Sequence, residues 1–117
     1  MSESIIRKKS FDFSLKIISL YKTLTTQGEY IISKQLLKSG TSIGANVEEA
    51  LAGQSKRDFL SKMAISSKEA RETRYWLRLL NESNLVKMDF DEIIIEVEEL
   101  IKILTSIVKT SSQNLKK

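Results

Sequence analysis

The chain has 117 residues and a net charge of +4, from 19 Lys and Arg against 15 Asp and Glu, with no His and no Cys. That length suits one domain over residues 1–117, with enough burial for a single core. Without Cys there are no disulfides or thiolate sites, and without His the commonest general base and metal ligand are missing, which argues against a zinc, iron or copper enzyme.

The start of the chain is polar, with Arg7-Lys8-Lys9, and no apolar leader segment follows it. Uncharged apolar runs are as short as Ile93-Ile94-Ile95, so no membrane span is expected and the cytoplasm is the expected location. Charge is uneven along the chain. Residues 1–80 hold 14 Lys and Arg against 8 Asp and Glu, a net of +6, whereas residues 81–117 hold 5 against 7, a net of −2. A basic body with a more acidic last segment suits nucleic-acid binding, and it equally suits head-to-tail self-association.

Proline is absent and only four glycines occur, which favours long uninterrupted helices. The first is expected over about 10–26, with Ser10 as N-cap, an apolar stripe of Phe11, Leu15, Ile18, Tyr21 and Leu24 beside Ile17, and Gly28 closing it. The second spans about 29–52, with Ile32, Leu36, Ile43, Val47 and Ala50 inward. Gly40 and Gly44 fall inside it, each costing about 1 kcal/mol relative to Ala, so a close neighbouring helix is expected to offset them. Gly53-Gln54 is a turn, and Ser55 with Asp58 three residues on caps the third helix, over about 55–81. Its stripe is Phe59, Met63, Ser66/Ser67, Ala70, Arg74, Leu77 and Leu80. The fourth spans about 89–110, with Phe90, Ile93/Ile94, Val97, Leu100/Ile101, Leu104 and Ile107/Val108 inward, and residues 110–117 form a fraying tail. Four amphipathic helices joined by short loops give an all-α, antiparallel up-and-down four-helix bundle.

Carboxylates are the only acid–base candidates. Glu48-Glu49, Glu69 with Glu72, and Glu92 with Glu96 read as solvated helix faces, because a di-iron bundle site needs histidine. Gly40 and Gly44 lie inside a helix with no Gly-Lys-Ser/Thr after them, so no phosphate loop exists. No catalytic residues, metal ligands or cofactor are assigned.

The basic residues of the third helix carry the functional expectation. Lys68, Arg71, Arg74 and Arg78 step by three, three and four, and Lys56, Arg57 and Lys62 lie near its start. Arginine's planar donors suit phosphate, so Lys56, Arg57, Lys68, Arg71, Arg74 and Arg78 are the candidate nucleic-acid contacts, with Arg7-Lys8-Lys9 as a secondary arm. The competing reading pairs these cations on the surface with Glu69, Glu72 and the acids of the fourth helix. Tyr75 and Trp76 point about 100° apart, so one is expected at the core edge or in an intersubunit contact. Ser42, Asn46 and Glu49 are expected to form an internal hydrogen-bond network pinning the second helix to the third.

Ser42-Ile43-Gly44-Ala45-Asn46-Val47-Glu48-Glu49-Ala50, followed by Ser55, Phe59-Leu60 and Ala64-Ile65-Ser66-Ser67-Lys68-Glu69, resembles the signature of the bacterial four-helix-bundle proteins, also called 23S rRNA intervening-sequence or S23 ribosomal proteins. The resemblance runs from Phe11 to about Val108, and Ala50 departs from it where the family often has Gly. It implies a homopentameric ring. The accessory variability protein of diversity-generating retroelements is similar, and that likeness implies a basic surface for RNA or DNA and a protein partner such as a reverse transcriptase. The ribosomal label reflects genes lying inside rRNA-gene insertions and does not make the product a ribosome component. The motif positions Ser42, Asn46 and Glu49 carry over as structural. Alternatively, the protein is a scaffold oligomer for a protein partner, its arginines pairing across subunits with Glu92, Glu96 and Glu99.

Overall fold

The computed structural model describes residues 2–116 and contains four helices: α1 (Ser2–Thr26), α2 (Ile32–Leu51), α3 (Lys56–Ser83) and α4 (Asp91–Leu115). Each packs on its neighbour in the chain and α4 closes on α1, giving a rod of 50 × 22 × 21 Å. The α2–α3 pair is the most intimate and the α1–α4 seam the loosest. Leu36, Ile43 and Val47 of α2, Met63, Leu77 and Leu80 of α3, and Val97 and Leu104 of α4 are fully buried, as the apolar spacing predicts.

Helix α1 departs from the expectation. It starts at Ser2, not Ser10, and its buried stripe is Ile6, Phe13, Ile17, Leu20 and Leu24. Ser10 is therefore no cap: it is buried in mid-helix, its hydroxyl donating to the Arg7 carbonyl at 3.2 Å. Phe11, Leu15 and Ile18, expected in the core, face outward. Two apolar stripes share this helix, and only the one running on to Ile6 is continuous over its whole length. At the other end Gly28 takes φ +88°, and the Glu29 and Gly28 amides donate to the Leu24 and Thr25 carbonyls at 2.9 and 3.0 Å, a Schellman closure.

Helix α2 begins at Ile32 rather than Glu29, because Glu29 caps it from outside. The Glu29 carboxylate accepts the amides of Ile31, Ile32 and Ser33 at 3.0, 2.9 and 2.6 Å, and its own carbonyl accepts the Ser33 hydroxyl at 2.8 Å. One buried acid thus satisfies three orphan donors and sits at the positive end of the helix dipole. Glu29→Ala is expected to lower stability by about 1–2 kcal/mol in urea denaturation and to speed hydrogen exchange of those three amides. An unchanged midpoint would show that the cap contributes nothing.

The glycines of α2 face α1. A Cβ on Gly40 would stand 2.8 and 2.9 Å from the two γ carbons of Ile17, and one on Gly44 would stand 3.2 Å from the Ser10 carbonyl oxygen. The expected close neighbour is therefore α1. On the other side, the Ser66 hydroxyl donates to the Ile43 carbonyl at 2.8 Å and the Thr73 hydroxyl meets Ser39 at 2.9 Å, all buried between α2 and α3.

Ser55 caps α3 as expected, its hydroxyl accepting the Asp58 amide at 3.0 Å. Thr73 occupies the core position beside which Arg74 is only half-buried. Helix α4 begins at Asp91 rather than residue 89, with Asp89 accepting the Asp91 amide at 2.9 Å. It continues to Leu115, beyond the end expected near residue 110; Lys117 lies outside the described residues, as does Met1.

Candidate nucleic-acid interface

Helix α3 is an unbroken run of 28 residues, so cations spaced three and four apart share one flank. That flank borders α4, because Arg71 Nη2 donates to Thr105 Oγ1 at 3.0 Å. Lys68, Arg71 and Arg78 are exposed and Arg74 is half-buried. Lys56 and Arg57 are exposed in the first turn, so the six cations are strung over about 33 Å of helix axis from Lys56 to Arg78. Lys62 does not join them, since it pairs with Glu49 of α2 at 3.1 Å.

The surface-pairing reading fails for most of this row. Arg78 pairs with Glu82 at 3.2 Å and Arg71 spends one donor on Thr105. Among the described residues Lys56, Arg57, Lys68 and Arg74 have neither an ion pair nor a hydrogen bond. Glu72 accepts Trp76 Nε1–H at 3.1 Å, and of the α4 acids Glu96 holds Lys16 of α1 at 2.6 Å and Glu99 holds Lys9 of α1. The Glu96 hydrogen bond raises the pKa of Lys16. Glu69 lies half-buried near Lys68 and Lys38, and burial and its neighbour Glu72 raise its carboxyl pKa above the ordinary value against the pull of those two lysines.

Two expectations are corrected. Arg7-Lys8-Lys9 is no free arm: it lies within α1, with Arg7 on Glu48 at 2.9 Å, Lys8 on Asp12 at 3.0 Å and Lys9 on Glu99. The buried Ile6 anchors that first stretch of helix. The motif residues Ser42 and Asn46 do not pin α2 to α3 either. The Ser42 hydroxyl donates to the Lys38 carbonyl at 2.7 Å and Asn46 Nδ2 to the Ser42 carbonyl at 2.8 Å, both within α2. Only Glu49 crosses, to Lys62, while Ser39, Ser66 and Thr73 do the pinning.

Trp76 packs half-buried against the core, and Tyr75 lies outside it, the rings meeting edge to face at 5.2 Å. Sequence reasoning missed Thr105, and it missed an open cleft of about 490 Å³ beside Lys56, lined by Phe59, Ser106, Ile107, Thr110 and Asn114. No local signal marks either, because α3 and α4 residues come together there only through bundle packing. Among the described residues no group of three or more acids could hold a metal ion, and no helix is long and apolar enough to cross a membrane.

Comparison with known proteins places this geometry. A family model described as 23S rRNA-intervening sequence protein matches residues 2–106. The crystal structure of a protein of unknown function from the S23 ribosomal protein family of Bacteroides thetaiotaomicron VPI-5482 is similar, with a TM-score of 0.88 and 43% identity over 93% of this chain and 99% of that one. No curated protein matches. The family match takes in α1, α2 and α3 whole and most of α4, and the chain belongs to the 23S rRNA-intervening sequence protein family.

Proposed function

We propose that the protein is a non-enzymatic, homo-oligomeric accessory protein that binds RNA through phosphate contacts from Lys56, Arg57, Lys68, Arg71, Arg74 and Arg78. The carrying observation is the set of cations on one rigid helix without an ion pair among the described residues, Lys56, Arg57, Lys68 and Arg74. Fixed cations at helical spacing offer phosphate a preorganised surface and displace its counterions on binding. Such contacts position a backbone and carry no base specificity. Self-assembly is supported by the outward apolar face of α1 and by the ring that the family resemblance implies. The likeness to the retroelement accessory protein supports a basic surface shared between nucleic acid and a protein partner such as a reverse transcriptase.

The scaffold reading needs Glu92, Glu96 and Glu99 to receive arginines from a neighbouring subunit. Glu96 and Glu99 already hold Lys16 and Lys9, which weighs against it. Titration of the native protein with a mixed-sequence structured RNA at several salt concentrations tests the proposal. Six phosphate contacts give a slope of log affinity on log salt of about −4 to −5. Absence of a complex at low salt, or an affinity indifferent to salt, would overturn it.

A further inference from the structure

Tyr75 stands 55% exposed among the cations of α3. It follows Arg57 by five whole helical turns, Lys68 by seven residues and Arg71 by four, and it precedes Arg78 by three. At about 100° per residue Arg57 points the same way as Tyr75, and Lys68, Arg71 and Arg78 lie within about 60° of it. Two carboxylates share that side of the helix. Glu82 pairs with Arg78 at 3.2 Å, and Glu72 accepts Trp76 Nε1–H at 3.1 Å. Four cations against two acids leave the surroundings of the ring positive. The ring is also held in place. It meets Trp76 edge to face at 5.2 Å, and Trp76 is fixed by packing against the core and by its bond to Glu72. An edge-to-face contact leaves at least one face of the tyrosine clear of the indole, and among the described residues the Tyr75 hydroxyl has no hydrogen-bond partner.

We propose that Tyr75 is a stacking platform for an unpaired base, so that the α3 row takes single-stranded RNA in preference to duplex. The inference rests on the phosphate-row reading and names the class of RNA that the row holds. Cations at helical spacing on either side of the ring track the backbone, and the ring face receives a base of any identity, since every base has a π face. Duplex bases are already stacked on one another and offer a protein surface only their edges and the sugar–phosphate backbone. On a duplex the arginines and lysines still meet phosphates, but Tyr75 adds nothing. The other strongly exposed aromatics, Phe11 of α1 and Tyr30 of the α1–α2 turn, lie outside this helix.

Fluorescence-anisotropy titrations test it, with a labelled single-stranded RNA free of self-complementarity and with a duplex RNA of the same length. The proteins compared are the native chain, Tyr75→Ala, Tyr75→Phe and Tyr30→Ala. Tyr75→Ala is expected to bind the single strand about five- to 150-fold more weakly and the duplex as the native protein does. Its salt slope is expected to stay native, because no cation is removed. Tyr75→Phe keeps the ring and is expected to bind both RNAs as the native protein does. Tyr30→Ala removes a 63% exposed aromatic away from the row and is expected to change neither affinity. Native single-strand affinity in Tyr75→Ala overturns the proposal, and so does an equal loss on single strand and duplex. Dissociation of Tyr75→Ala from a native oligomer in light scattering also overturns it, because the ring would then be a subunit contact. A native protein that binds neither RNA overturns the phosphate-row reading and this inference with it. A native protein that binds both with a steep salt slope, matched throughout by Tyr75→Ala, overturns this inference alone.

Discussion

Gly40→Val is expected to cost the bundle about 3 kcal/mol in urea denaturation, and Gly40→Ala about 1–2 kcal/mol. In a free helix the sign would be reversed, since Ala gains about 1 kcal/mol over Gly. Here the added carbon meets the γ carbons of Ile17 at 2.8 and 2.9 Å, and Ile17 is fully buried with a stiff branch point next to its backbone. Either α1 moves outward, opening the packing of Phe13 and Leu24, or Ile17 leaves its rotamer. A valine adds two further carbons with little rotamer choice in a helix. Ile17→Ala is expected to be less harmful in the Gly40→Ala background than in the native protein, because the smaller side chain makes room for the new carbon. Gly40→Ala more stable than the native protein would mean that α1 and α2 do not approach this closely.

Arg71→Glu with Arg74→Glu is expected to lower RNA affinity by about ten- to a hundredfold at moderate salt and to flatten the salt slope by about 1.4–1.8. The pair is chosen for position. Arg71 is held over the α4 boundary by Thr105, and Arg74 is half-buried at the middle of the row without a partner. Neither supports the core, so helicity should not change. Under the scaffold reading the same substitutions break the oligomer and leave RNA binding a secondary matter, and light scattering separates the two. An intact oligomer with weakened RNA binding supports the phosphate row; a dissociated one with unchanged RNA affinity supports the scaffold.

How far the sequence discloses this molecule depends on how many stripes a helix carries. Helix α4 has one apolar stripe, Phe90 through Ile107, and its core face is legible residue by residue. Helix α1 has two, and periodicity alone ranks Phe11, Leu15 and Ile18 beside Phe13, Ile17 and Leu20. Only the neighbouring helices decide between them, through the seats that Gly40 and Gly44 offer to Ile17 and Ser10. Glu29 was legible as a helix-start residue but not as a cap, because its carboxylate folds back over the next four residues. The basic row is visible as spacing. The pairing of Arg78 with Glu82 four residues on was legible as spacing too, but the hydrogen bond of Arg71 to Thr105 was not, because only bundle packing brings α3 and α4 together there.

The central claim is that RNA is held by this row and not by the overall positive charge. The most direct measurement compares Arg71→Glu with Arg74→Glu against Lys34→Glu with Lys38→Glu, two exposed lysines of α2 lacking ion pairs among the described residues. Both variants change the charge equally, and both are titrated with one RNA over one range of salt. The account predicts that the α3 variant loses most of its affinity and much of its salt slope, while the α2 variant keeps the native slope and loses only a few-fold in affinity. Equal losses in the two variants would contradict it, because binding would then follow net charge wherever that charge lies.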